Sequence, residues 1–148
     1  MYVSARCERI MAEPTCVSGS IGVIASVLTM EGLAEKIGVE ANSVVATRSP
    51  EKAVANDIWR NWDEKDYAKI RKILDAAYDR FRMLVEEGRS ERLAEGVDFD
   101  DLCNGHVFTA NEALELGLID AIGYQEDAVA MVEQALGVSP GEASVFRY

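Results

Sequence analysis

Arg9-Ile-Met-Ala-Glu-Pro-Thr-Cys-Val-Ser-Gly-Ser-Ile-Gly-Val23 is the segment around which the rest of the sequence is organised. It predicts a short strand over Ile10 to Ala12, a turn opened by Pro14, and a second strand from Ser20 to Ala25. The second strand would carry the β-branched residues Ile21, Val23 and Ile24. Gly19 and Gly22 flank Ser20 and Ile21, so little side-chain bulk shields the backbone there. Glycine suits a place where another backbone, or a substrate, must approach closely. A serine so placed is ordinarily structural. Whether Ser20 does more depends on what the rest of the chain brings to it.

Downstream, Thr29 to Ile37 reads as a short helix with Thr29 as N-cap and Gly38 as the stop. Ser43 to Thr47 reads as a strand. The order strand, strand, helix, strand favours an α/β layered domain. Arg48 to Trp62 has no clean periodicity and is the longest irregular segment, of the kind that often carries function. Asp63 to Gly88 is the clearest helix. Asp63 caps it, and Tyr67, Ile70, Leu74, Ala77, Phe81 and Leu84 recur at alternating spacings of three and four. The seam is too short to favour a coiled coil, so packing across a sheet is its expected use. Asp98 to Cys103 is a helical turn, and Val107 with Phe108 is extended. Thr109-Ala-Asn-Glu112 is a capping box that opens a helix ending at Gly117. Leu118 to Asp120 begins a turn closed by Gly123. Glu126 to Leu136 is an amphipathic helix with Val129, Val132 and Leu136 inward and Gly137 as its stop, and Ser144 to Phe146 is a terminal strand. Met1 to Ala5 reads as the end of a helix whose beginning lies upstream.

The totals exclude several classes. The 148 residues carry a formal net charge of -11, which argues against nucleic acid as the main partner and against docking on an anionic membrane. No segment reaches the roughly 18 apolar residues of a membrane span. Arg6, Glu8 and Arg9 interrupt the N-terminus before an apolar signal-peptide core forms. Cys7, Cys16 and Cys103 are odd in number and lack CxxC spacing, so buried, reduced thiols are the expectation, with no disulfide framework and no metal site. No dinucleotide, Walker A, HExxH or GxSxG motif is present, and no cofactor is expected.

Chemistry-bearing residues are few. His106 is the lone histidine, and a Ser-His-Asp triad would need an orienting carboxylate that Asp101 offers only by nearness in sequence. The carboxylates are spread along helix faces as solvated charge. A lysine can act as a base when burial without a counter-ion disfavours its ammonium form. Lys52 has suitable surroundings, in an irregular loop before Ala53, Val54 and Ala55, although a lysine beside Glu51 ordinarily sits on the surface.

Taken together, several pieces resemble one family. They are Ala12 to Val23, Leu33 to Val39, Ser49-Pro-Glu-Lys52, Tyr78 and Phe81, and Gly88-Arg89. Gly105-His-Val-Phe-Thr109 with Glu112-Ala113, and Gly117-Leu-Ile-Asp120, follow in the same order. This is the pattern of signal peptide peptidase A, a Ser/Lys serine peptidase with the Clp-protease/crotonase-type α/β fold. The resemblance covers nearly the whole chain. It implies that Lys52 is the general base, taking a proton from a serine nucleophile and returning one to the leaving amine. It implies that the Ser20 hydroxyl orients that lysine. Arg48 is the alternative alignment, but a guanidinium does not deprotonate and cannot be the base. His106 stands where arginine is usual, and Asn111 where glycine is usual.

By the same resemblance no serine here matches the nucleophile, which would fall just before Met1. Ser4 belongs in the helix behind it. Residues 1–148 are therefore expected to be the C-terminal portion of the catalytic domain, incomplete at the N-terminus and inactive alone. Relatives imply assemblies in which serine and lysine come from different subunits or tandem halves. The expected partners are a peptide or unfolded protein substrate and a homo-oligomer or serine-bearing chain. The expected location is soluble for these residues and membrane-associated or cell-envelope for a full-length relative. A non-catalytic assembly module is the alternative. A crotonase-like acyl-CoA binder is remote, since no residues for CoA stand out.

Overall fold

The computed structural model describes residues 1–52 and 57–146. In order they form β1 (Met11–Ala12), β2 (Val17–Gly19), α1 (Glu31–Ile37) and α2 (Glu64–Arg89), then a 3-10 turn at Ser90–Arg92. These are followed by α3 (Phe99–Leu102), β3 (Val107–Thr109), α4 (Ala110–Glu115), β4 (Ala121–Ile122) and α5 (Gln125–Leu136). The mixture is α/β. The chain divides into two compact units, one of Met1–Gly22 with the residues from Tyr78 onward, the other of Val23–Ala77.

The first unit is closed by long-range backbone pairing. β1 lies parallel to β4 with Met11 opposite Ala121, and β2 lies antiparallel to β3 with Val17 opposite Thr109. Its core gathers Ala5, Ile21, Phe81, Val85, Leu102, Cys103, Ala113, Leu118 and Ile119. Each large apolar side chain so buried contributes roughly 1.5–3 kcal/mol. The N-terminal turn, with the Ala5 N–H on the Met1 carbonyl at 2.9 Å, lies directly on α2. Gly88 permits this, because a Cβ there would stand 2.0 Å from the Ala5 carbonyl oxygen.

A buried ion cluster ties the same unit together. Arg89, 1% exposed, donates to both Asp120 oxygens at 2.9 and 3.1 Å and to the Gly117 carbonyl at 2.6 and 3.2 Å. Arg92 adds a 3.0 Å bond to Asp120 and reaches the Glu8 carbonyl. The Ile10 N–H donates to Asp120 at 2.7 Å. Burial alone would raise the Asp120 pKa, but the bonds from Arg89, the Ile10 amide and Arg92 outweigh it and lower it to about 2. One carboxylate thus joins β1, the end of α2 and the turn before β4.

The second unit is held mainly by polar and local contacts. Asp63 caps α2 as expected, accepting from the Lys65 and Asp66 amides at 2.8 and 2.9 Å. Arg60 pairs with Asp66 at 2.6 Å and pulls its carboxyl below the usual range. The Met30 N–H reaches the Ile58 carbonyl at 2.7 Å, and the Asn61 N–H reaches Glu31 at 3.2 Å. Among the described residues of this unit only Ala34 and Asp66 are buried.

Several expectations need correction. The strand predicted over Ser20 to Ala25 lies upstream at Val17–Gly19, because Gly19 and Ser20 turn out of the β region at φ 86° and 49°. Ser43 to Thr47 forms no strand, and Val44 is 98% exposed: β-branched residues without a partner strand do not make a sheet. α1 starts after Met30, with Thr29 making no cap, while Gly38 ends it in the left-handed region as expected. On α5, Val132 and Leu136 are exposed, and the buried residue is Glu133. No terminal strand forms over Ser144 to Phe146. Instead Glu133 accepts the Gly141 and Ala143 amides at 2.9 and 3.0 Å. Cys7 and Cys16 are exposed, and only Cys103 is buried. The capping box at Thr109 forms with both of its bonds.

Candidate active site

Ser20 stands at the end of β2, one residue past the last β2–β3 pair, Gly19 opposite Val107. Its N–H donates to the His106 carbonyl at 2.7 Å. A Cβ on Gly19 would meet the Phe108 ring at 2.6 Å and the His106 carbonyl oxygen at 2.8 Å. A Cβ on Gly22 would stand 3.1 Å from the Gly105 Cα. The close approach expected from these glycines therefore occurs, and the approaching backbone is Gly105-His106. Among the described residues Ser20 is the one non-glycine at positive φ, a conformation that costs an L residue roughly 1–2 kcal/mol. Its side chain is exposed and makes no hydrogen bond among the described residues, so the hydroxyl can donate to, or accept from, an incoming group.

Lys52 belongs to the second unit and Ser20 to the first. Lys52 is exposed, and its N–H closes a turn on the Ser49 carbonyl at 3.1 Å. The neighbouring Glu51 is engaged by Lys69. Ala53, Val54 and Ala55 lie outside the described residues. Arg48 is also exposed. Ser4 is taken up in the N-terminal turn, its hydroxyl on the Met1 carbonyl at 3.3 Å.

His106 offers no triad. Its imidazole makes no hydrogen bond among the described residues, and Asp101 accepts instead from Asn104 at 2.9 Å. Burial pushes the Cys103 thiol up, away from the thiolate that reactivity needs. Among the described residues no group of three or more His, Cys, Asp or Glu could hold a metal ion. No helix among them is long and apolar enough to cross a membrane. A cleft of about 760 Å³ between β1 and α5, lined by Met11, Ala128, Met131 and Val132, holds no candidate residue. A smaller one of about 290 Å³, lined in part by His106 and Phe108, borders the backbone that anchors Ser20.

The Arg89–Asp120–Arg92 cluster escaped the sequence reading. A signal existed: Arg89 continues the seam of Phe81 and Val85 by one helical turn, which places a charge on the inward face.

The model of peptidase family S49 matches residues 1–139. A protein of Enterococcus faecium with the provisional name signal peptide peptidase SppA is 32% identical over 99% of this chain and 40% of its own length. Protease 4 of Haemophilus influenzae is 29% identical over 90% of this chain and 20% of its own length. The serine protease SPPA of the Arabidopsis thaliana chloroplast is 28% identical over 93% of this chain and 20% of its own length. The chain thus spans half or less of the length of these curated relatives.

Proposed function

The chain belongs to peptidase family S49, whose model spans residues 1–139, and we propose that it supplies the general base for peptide-bond hydrolysis by a Ser/Lys dyad. Lys52 is the base, and the Ser20 hydroxyl orients it. The family match over nearly the whole chain carries the reading, and the exposed Ser20 hydroxyl on a fixed backbone supports it. Residues 1–148 are then the C-terminal portion of a layered Clp-protease/crotonase-type catalytic domain. The serine nucleophile comes from outside these residues, from a preceding segment or a second chain.

In this cycle the neutral Lys52 amine takes the proton of the nucleophilic hydroxyl as its oxygen bonds to the scissile carbonyl carbon. The resulting ammonium gives that proton to the leaving nitrogen as the C–N bond breaks. Water, giving a proton to Lys52, then attacks the acyl ester, and the Lys52 ammonium returns that proton to the serine oxygen as the ester C–O bond breaks. A lysine base needs dry surroundings at neutral pH. Lys52 is exposed in the chain by itself, so the serine-bearing segment or partner must also cover it. The substrates are peptides or unfolded proteins, and the assembled enzyme works in or near the cell envelope.

One observation favours a second reading, a non-catalytic assembly module: Ile24, Leu28, Ile37 and Val44 are all exposed. The two readings separate in one assay. Hydrolysis of an unfolded protein is measured with this chain, with a serine-bearing S49 homologue whose own lysine base is replaced by alanine, and with both. The catalytic reading expects activity only from the mixture. Two proteins that co-sediment without activity would refute it and leave the assembly module.

A further inference from the structure

We propose that Asn104 is a positioning residue for Ser20, acting through the backbone of His106. The inference rests on the reading that the Ser20 hydroxyl orients Lys52. Ser20 keeps an unfavourable left-handed backbone, and such a residue persists only where its surroundings over-determine it. The β2–β3 ladder ends at Gly19 and Val107, so the bond from the Ser20 N–H to the His106 carbonyl, at 2.7 Å, lies one residue beyond it. That carbonyl needs a fixed direction of its own.

Asn104 supplies it. Its Oδ1 accepts the His106 N–H at 3.0 Å across Gly105, which sits at φ 93°. Its Nδ2 donates to Asp101 Oδ1 at 2.9 Å, beside the last turn of α3. The N–H and C=O of His106 flank one α-carbon, so holding the first restricts the second. The relay runs from α3 through Asn104 and His106 to Ser20, and all of it lies in the first unit. Asn104 is exposed and contributes nothing to the core, so its side chain has no other described task. It is not a catalytic residue, since it reaches the site only through the His106 backbone. An Asn-Gly pair such as 104–105 is itself a turn signal in the sequence.

The test is the series N104D, N104S and N104A: the first keeps an acceptor for the His106 N–H but loses the donor to Asp101, the second shortens the acceptor, and the third removes it. Exchange of the Ser20 amide is followed in the 148-residue chain. The kcat and KM for an unfolded protein are followed in the mixture with the lysine-deficient homologue. The expected order of Ser20 exchange is N104D, N104S, N104A, the last about fivefold faster than the parent, as one lost hydrogen bond implies. The kcat falls in the same order with KM unmoved, and the S20A/N104A double variant is no slower than S20A. Unchanged Ser20 exchange across the series overturns the inference. So does a fall in Tm that accounts for the faster exchange, which would make Asn104 merely structural. If S20A lowers kcat and N104A does not, the inference fails while the role of Ser20 survives. If exchange shifts but S20A leaves kcat intact, Asn104 does position Ser20 and the orienting role of Ser20 is what fails.

Discussion

The two units of the chain carry similar sequence material to opposite ends. Both contain runs of Val, Ile and Leu, yet the first buries a core of nine residues around Phe81 and Val85, while the second buries Ala34 and Asp66 alone among its described residues. α2 shows the contrast within one helix. Its seam is continuous in sequence, but Phe81 and Leu84 are buried while Tyr67 is exposed and Ile70 and Leu74 are only half-buried. The difference lies in partners. The first unit has long-range strand pairs and a buried ion cluster, so its apolar residues meet others far away in sequence. The second is stitched by caps, turns and the Arg60–Asp66 pair. Apolar content gives a core only where the backbone brings distant segments together.

The difference between the two units should be most exposed at Asp120. Asp120→Ala leaves Arg89 buried without its carboxylate, and about 3–5 kcal/mol of stability should be lost in chemical denaturation. A loss below about 1 kcal/mol would mean that the cluster does not close the first unit. The same group predicts acid behaviour. Its folded pKa, about 2, lies below the ordinary aspartate value of 3.8. Its contribution is therefore full above about pH 4 and is lost as pH falls towards 2, amounting to about 2 kcal/mol at 1.36 kcal/mol per pKa unit. In an Asp120→Asn background that part of the acid dependence should vanish.

A smaller effect should appear in hydrogen exchange. The α2 amides over Phe81 to Gly88 should exchange about tenfold more slowly than those over Lys69 to Ile73, since local opening is easiest where few apolar contacts hold a segment. Equal rates would show that the helix opens as one piece. Smallest of all, Val44→Ser in the second unit should move stability by no more than about 0.5 kcal/mol. A larger loss would reveal packing at that side chain.

What could be read from the sequence was local. The Asp63 cap, the Thr109–Glu112 box and the stops at Gly38 and Gly137 depend on residues within a turn of one another, and all four form. The strands predicted at Ser20 to Ala25 and Ser43 to Thr47 depended on partners that neighbouring residues do not specify. Without such pairing, Ile24 and Val44 point to solvent. At the candidate site, the glycines around Ser20 correctly announced a close backbone approach. Nothing in them told that Ser20 itself would take a left-handed conformation, or that Asn104 would hold the far side. Arg89 was hidden for the opposite reason: a charge on an apolar seam reads as an exception until Asp120, thirty-one residues on, is seen to meet it.

We propose that Lys52 is a base which this chain lends to a serine carried elsewhere. It is tested most directly by repeating the complementation of a lysine-deficient, serine-bearing S49 homologue with the Lys52→Ala chain. A general base is worth about 10²–10⁴ in rate, so hydrolysis should fall at least about a hundredfold below that of the parent mixture, with association of the two chains unchanged. A Lys52→Ala chain that restores hydrolysis as well as the parent would mean that Lys52 is not the base.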